Sequence, residues 1–183
     1  REYSRYIKND KLTPKNLIDI INENILPETV IATDVGQHQM WACQYCNFKE
    51  ARKFVSSGGL GTMGFGLGAA IGAQVATKDP TVLITGDGSF GMNLNELATA
   101  SYYNLPVTVI LLNNGVLGMV RQWQTLFYGK RYSHTVLDRK TDFVKLADAF
   151  GMHGERVSDC DGFRQALERS LSQNAPSLIE VAI

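Results

Sequence analysis

The chain has few cysteines, no long apolar run and no net charge, and each shortage removes a class of function. Cys43, Cys46 and Cys160 are its three cysteines. An odd number without framework spacing argues against a secreted disulfide scaffold. Cys43 and Cys46 form a lone CxxC with no second ligand pair nearby, so incidental thiols are expected there in preference to zinc or redox chemistry. No run of 18 apolar residues occurs, so no segment is expected to span a bilayer. Lys and Arg number 18 and Asp and Glu number 18. That balance leaves no electrostatic footprint for nucleic acid or for an anionic membrane. The opening, REYSRYIKND, is charged and has no apolar core, so it does not read as a signal peptide. It lacks an initiator Met, and the last residues, SLIEVAI, read as a strand with no tail. Both ends therefore lead one to expect a piece of a longer chain.

The remaining composition, 44% apolar and 20% charged over 183 residues, suits one globular domain spanning residues 1–183. Apolar residues recur at helical spacing in TPKNLIDIINENI, where Thr13 is a candidate N-cap and Pro14 sits in the first turn. Residues 29–36 read as a short strand. Residues 56–76 read as a glycine-rich loop that becomes a helix of small residues. A strand at 81–85 precedes a helix at 93–104, with Asn93 and Glu96 at capping-box spacing. A strand follows at 107–112, then helices at 118–128 and 141–151, the latter ended by Gly151. A short strand GERVS, a helix at 161–173 and a strand at 177–183 complete the chain. Strands alternating with helices predict βαβ units, and unbroken Val/Ile/Leu runs predict strands covered on both faces. The expected fold is an α/β open, mostly parallel sheet with helices on both sides.

In such sheets ligands bind beyond the carboxyl ends of the strands. Three predicted strand ends carry unusual residues: Gly36-Gln37-His38, Gly86-Asp87-Gly88-Ser89 and Asn113-Asn114-Gly115. One helix joins the second to the third, and Asp87 and Asn114 are 27 positions apart. If their strands are neighbours, the two ends lie about 5 Å apart, or roughly twice that with a strand between them. A carboxylate with an amide oxygen is an oxygen-only set that favours Mg²⁺ or Ca²⁺, with phosphate oxygens completing the shell. Glycines at 86, 88 and 91 would let backbone approach a phosphate. The 93–104 helix would aim its positive end at the same place. Taken singly, each motif is a turn; together they read as a metal–diphosphate cradle.

Gly86-Asp87-Gly88 followed by Asn113-Asn114 resembles the signature of thiamine diphosphate enzymes. GQHQMWACQ, SGGLGTMGFGLGAAIGAQVA and NNGVLGMVRQWQTLFYGKRYSHT are similar to the C-terminal cofactor-binding domain of acetolactate (acetohydroxyacid) synthase catalytic subunits. The similarity extends from about residue 12 to 183. It implies that Asp87, Asn114 and the carbonyl of Val116 hold Mg²⁺. It implies further that Gln37 and His38 contact the diphosphate, with Gly36, Gly86, Gly88, Ser89, Gly118 and Met119 around the cofactor. The Gly61 carbonyl would meet the aminopyrimidine, and Met63 would wedge between the two rings. Trp123 would shape the acceptor pocket, lined also by Met119 and Val120. One departure is Gly68, where many members have Pro.

The same resemblance implies decarboxylation of pyruvate and transfer of the two-carbon unit to pyruvate or 2-oxobutyrate in branched-chain amino acid synthesis. No catalytic residue is expected in this chain. The family's glutamate lies in an N-terminal pyrimidine-binding domain of a second subunit. Neither that domain nor the middle FAD-binding domain is matched here, so the chain alone is expected to be inactive, with FAD a cofactor of the longer enzyme. A homodimer or tetramer is implied, a regulatory small subunit is admitted, and the location would be cytoplasmic in a bacterium or organellar in a eukaryote. Two alternatives stay open. One is another thiamine diphosphate enzyme, such as a 2-oxoacid decarboxylase, pyruvate oxidase or glyoxylate carboligase. The other is a non-catalytic assembly module.

Overall fold

The structure, a computed structural model, describes residues 12–183. The charged opening stretch lies outside the described residues. The elements in order are α1 (Pro14–Asn24), β1 (Val30–Thr33), α2 (Gln37–Tyr45), β2 (Phe54–Ser56), α3 (Phe65–Thr77) and β3 (Thr81–Gly86). Then come α4 (Asp87–Phe90), a 3₁₀ turn (Leu94–Glu96), α5 (Leu97–Tyr102), β4 (Val107–Asn113) and α6 (Gly118–Phe127). The chain ends with α7 (Phe143–Ala149), β5 (His153–Val157), α8 (Cys160–Ser172) and β6 (Ser177–Ala182).

The six strands form one sheet in the order β2-β1-β3-β4-β6-β5, every neighbouring pair parallel. Parallel pairing demands crossovers, and the helices supply them while covering both faces. Alternate strand residues divide between two cores. Ile31, Val82, Ile84, Ile110 and Ile179 face α1, α2 and α8 through Leu17, Ile21, Ala42 and Phe163. Ala32, Leu83, Val109, Leu111 and Leu178 face α3, α5 and α7 through Leu67, Leu97 and Phe143. The expected doubly covered parallel sheet is what forms. Among the described residues no helix is long and apolar enough to cross a membrane.

Local signals held where nothing competed with them. Thr13 accepts from the Asn16 N–H and starts α1, and Asp142 and Asp159 cap α7 and α8 in the same way. The helix expected from 93 is a correction: α5 starts at Leu97, and no capping box forms. The Asn93 amide instead donates to the Gly64 carbonyl at 3.3 Å, and Glu96 accepts from Thr99. Residues 37–45 and 54–56 carried no expected element, yet they form α2 and β2. Within α2 only His38 and Ala42 are buried, too few for a readable apolar stripe.

Asn113 and Asn114 part company at the end of β4. Asn113 turns into the sheet and donates to Glu180 on β6 at 2.7 Å. Glu180 is buried, and its other oxygen pairs with Arg156 on β5 at 2.8 Å. Arg156 also reaches Asp142 at 3.2 Å. This network ties the carboxyl ends of β4, β6 and β5 to the start of α7. Glu180→Ala would strand the Asn113 amide and is expected to lower stability by about 2 kcal/mol, with Glu180→Gln costing less. Urea midpoints of the two variants check this.

Candidate functional site

The strand order places the three unusual ends side by side, β1 next to β3 and β3 next to β4. Gly86 pairs directly with Leu112, so the short-distance alternative for Asp87 and Asn114 is the one realised. A single cleft opens over these ends. Its walls include Gly36, Gln37, His38, Gly61, Met63, Gly86, Asp87, Gly88, Ser89, Asn114, Val116, Gly118, Met119 and Val120. Every expected cofactor-contacting residue lies on it. Trp123 lies one helical turn further, in an adjoining groove that shares Met119 and Val120 and adds Gln124, Tyr128 and Arg131.

Asp87 is buried in the short turn of helix that follows β3. Burial raises its pKa, because the charged form loses water. The backbone N–H groups of Gly88, Asp87 and Asn114 and the charge of Arg139 pull the other way without overcoming burial. Arg139, which the sequence reading passed over, donates to the Asp87 backbone carbonyl at 3.4 Å. Asn114 folds back as an Asx turn, its amide oxygen accepting from the Val116 N–H at 3.0 Å. That leaves one of its lone pairs free. The Asn114–Gly118 loop is clipped from outside by residues 135–137, through Leu117 N–H to Thr135 and Leu137 N–H to Gly115, both 2.8 Å.

The space beside the glycines belongs largely to protein. The His38 ring lies against Gly86, where a Cβ would come within 2.9 Å of Nδ1, and the Leu117 side chain fills the space beside Gly88. A side chain at either position would collide with these neighbours, so both glycines are required by the packing of His38 and Leu117. No residue of the helix expected from 93 lines the cleft. Two other helices start on it, α6 at Gly118 and α2, with Gly36 as its N-cap and Gln37 and His38 in its first turn, where backbone N–H groups lack intrahelical partners. Gln37 is oriented by a 2.9 Å hydrogen bond to Gln122 on α6.

His38 is buried, and its Nε2 has no hydrogen-bond partner. Desolvation lowers its pKa to about 4, against the opposing pull of the Asp34 charge and backbone. At neutral pH the imidazole is uncharged. An unpartnered polar atom in the wall of a largely apolar cleft is what a ligand would satisfy. No group of three or more His, Cys, Asp or Glu side chains among the described residues could hold a metal. Asp87 and the Asn114 amide oxygen could offer two hard oxygen ligands to a cation whose remaining ligands came from elsewhere.

Ser89 and Asp34 add a feature the sequence did not signal. The Ser89 hydroxyl donates to the Asp34 carboxylate and accepts from the Gly64 N–H at 3.2 Å. Its side chain is thereby committed within the protein, and what it offers the cleft is backbone. Asp34 showed in the sequence merely as a polar residue ending a strand. The third expected group, on α6, stands outside both cores: no α6 residue is buried, and Trp123 and Phe127 stack edge-on at 5.5 Å, both exposed.

Residues 34–181 match the family model described as thiamine pyrophosphate enzyme, C-terminal TPP binding domain. The chain is 51% identical over 157 residues to the acetolactate synthase isozyme 2 large subunit of Escherichia coli K12, covering 85% of this chain and 29% of that protein. It is 45% identical over 184 residues to the mitochondrial acetolactate synthase catalytic subunit of Aspergillus candidus, covering 98% and 26%. Among solved structures, a thiamine diphosphate-dependent 4-hydroxybenzoylformate decarboxylase of Rhodococcus jostii RHA1 superposes with a TM-score of 0.89 at 26% identity, covering 100% of this chain and 34% of that one. The chain thus spans under a third of the length of the two synthases.

The His38 environment has a pH consequence. Its folded pKa lies below the ordinary value of 6.5, so the unfolded chain binds the proton first. The associated stability is present above pH 6.5 and lost as pH falls towards 4. The loss between pH 7 and pH 5 is expected to be about 2 kcal/mol. Urea unfolding at the two pH values should show this drop in the native chain and a smaller one in His38→Gln.

Proposed function

The chain belongs to the thiamine pyrophosphate enzyme family, as its C-terminal TPP binding domain, and from that premise we propose that it forms the diphosphate- and metal-binding part of an acetolactate synthase. The observation that carries the reading is the meeting of Asp87 and Asn114 at adjoining strand ends, in one cleft with the unpartnered Nε2 of His38. In this reading Asp87, the Asn114 amide oxygen and the Val116 carbonyl hold a Mg²⁺ ion. The ion offsets the cost of an ionised, buried Asp87. Gln37, His38 and the first N–H groups of α2 hold the diphosphate, an arrangement that suits an anion. Gly61 and Met63, on the facing wall, orient the cofactor rings. When bound, thiamine diphosphate supplies the electron sink for decarboxylation, and the protein contributes binding and orientation.

The kinship with acetolactate synthases favours that reaction over those of other family members. Met119, Val120 and Trp123 extend the cleft by an apolar wall on α6 that would receive the second 2-oxoacid, pyruvate or 2-oxobutyrate. The exposed apolar side of α6 suits covering by another domain, which in this reading is the pyrimidine-binding domain of a second subunit carrying the activating glutamate. FAD, a homodimer or tetramer and a regulatory small subunit belong to the same proposal for the longer enzyme.

Titrating thiamine diphosphate with and without Mg²⁺ by calorimetry tests the site. Binding is expected with the ion and weakened at least about tenfold by its removal. Asp87→Asn should abolish the Mg²⁺ effect while leaving the melting temperature at pH 7 unchanged or raised, since the variant has no carboxylate to ionise in a buried place. Retained Mg²⁺ dependence in that variant would remove Asp87 from the metal. For the reaction, the 183-residue chain alone should form no acetolactate. With its complementing domains it should form acetolactate rather than acetaldehyde, and Trp123→Leu should erode the preference for 2-oxobutyrate over pyruvate as acceptor. Acetaldehyde or acetyl phosphate as the product would reassign the chain within the family.

A further inference from the structure

We propose that Asp34 is a positioning residue that locks the glycine-rich loop bearing Gly61 and Met63 to the Asp87 turn, and so sets the spacing between the two walls of the cleft. The inference rests on the thiamine diphosphate reading.

Asp34 directly follows β1 and is 1% exposed. None of the ion pairs among the described residues includes it. Its Oδ1 accepts from the Gly64 N–H at 2.9 Å, from the Val35 N–H at 3.0 Å and from the Ser89 hydroxyl, and its Oδ2 takes the Thr85 hydroxyl at 3.4 Å. Ser89 and Gly64 are themselves bonded. Asp34, Gly64 and Ser89 therefore close a three-cornered clamp between the end of β1, the start of the 13-residue α3 and the turn after β3. The positive end of α3 favours the negative charge. Helix and strand end are pressed together here: a Cβ on Gly66 would fall 2.8 Å from the Asp34 nitrogen.

Met63 directly precedes Gly64, and its Cε lies 3.8 Å from where a Cβ on Gly88 would stand. A loop released at Gly64 moves Met63 relative to Gly88, while Asp87 and Asn114 stay joined by the backbone N–H groups of Gly88 and Asn114 that hold the Asp87 carboxylate and do not depend on Asp34. Misplacement of a reacting group by about 1 Å costs on the order of 100-fold in rate. Loss of the clamp should therefore damage turnover far more than cofactor affinity, a split that a purely structural role would not produce.

The test compares the full-length enzyme, native, Asp34→Ala and Asp34→Asn, by three measurements. Hydrogen exchange at the Gly64 amide, without cofactor, should quicken about tenfold or more in Asp34→Ala. Thiamine diphosphate affinity with Mg²⁺ should stay within about threefold, while kcat on pyruvate falls about 100-fold. Asp34→Asn keeps an acceptor for Gly64 and should recover part of the rate, and it serves alone if the alanine variant does not fold. A kcat within about threefold of native in the variants, or affinity and kcat falling in parallel, would overturn the positioning role. Absence of Mg²⁺-dependent binding in the native enzyme would overturn the cofactor reading and this inference with it. Native binding with unaltered variants overturns the inference alone.

Discussion

The site depends on the parallel pairing of β3 with β4. Six register pairs, from Thr81 with Val107 to Gly86 with Leu112, bring two chain segments to the same level, so that Asp87 emerges beside the Asn113-Asn114 pair. A one-residue slip would invert which side chains face which core. Close packing resists that, because alternate β4 residues fill separate cores, Ile110 one and Leu111 the other. The metal and diphosphate reading thus borrows its geometry from hydrophobic packing on both faces of the sheet.

Three buried carboxylates at the carboxyl edge of this sheet are handled in three ways. Glu180 has a guanidinium and an amide against it. Asp34 is enclosed by backbone and hydroxyl donors near the positive end of α3. Asp87 has backbone donors and an arginine that bonds its backbone carbonyl, and burial still dominates its titration. Buried charges are stable when paired or well hydrogen-bonded, so the incompletely compensated one is where an external cation gains most. By the same logic His38, buried with an unpartnered nitrogen, is where an external acceptor or donor gains most.

Much of the fold was legible because its signals are local. The strand runs, the caps at Thr13 and the alternation of elements need no information from elsewhere in the chain. The capping box at Asn93 was legible and wrong: the side chain makes no cap and turns instead towards a carbonyl 29 positions away. The α2 helix was missed because its neighbours, and not its own stripe, hold it. Asp34 and Arg139 were silent for the same reason: their partners, Ser89 and Gly64 for one and the Asp87 carbonyl for the other, are remote in sequence.

The sequence by itself determined the class of sheet, the residues at its carboxyl edge and, through GDG and NN, the chemistry they favour, because periodicity and residue type are written locally. Tertiary structure alone decided that β3 and β4 are neighbours, that Asn113 serves the sheet while Asn114 serves the cleft, and that the glycines make room for His38 and Leu117. It also decided that a carboxylate outside the motif ties the two walls together. Those outcomes follow from which buried donors and acceptors meet once strands pair, and no local pattern encodes such meetings.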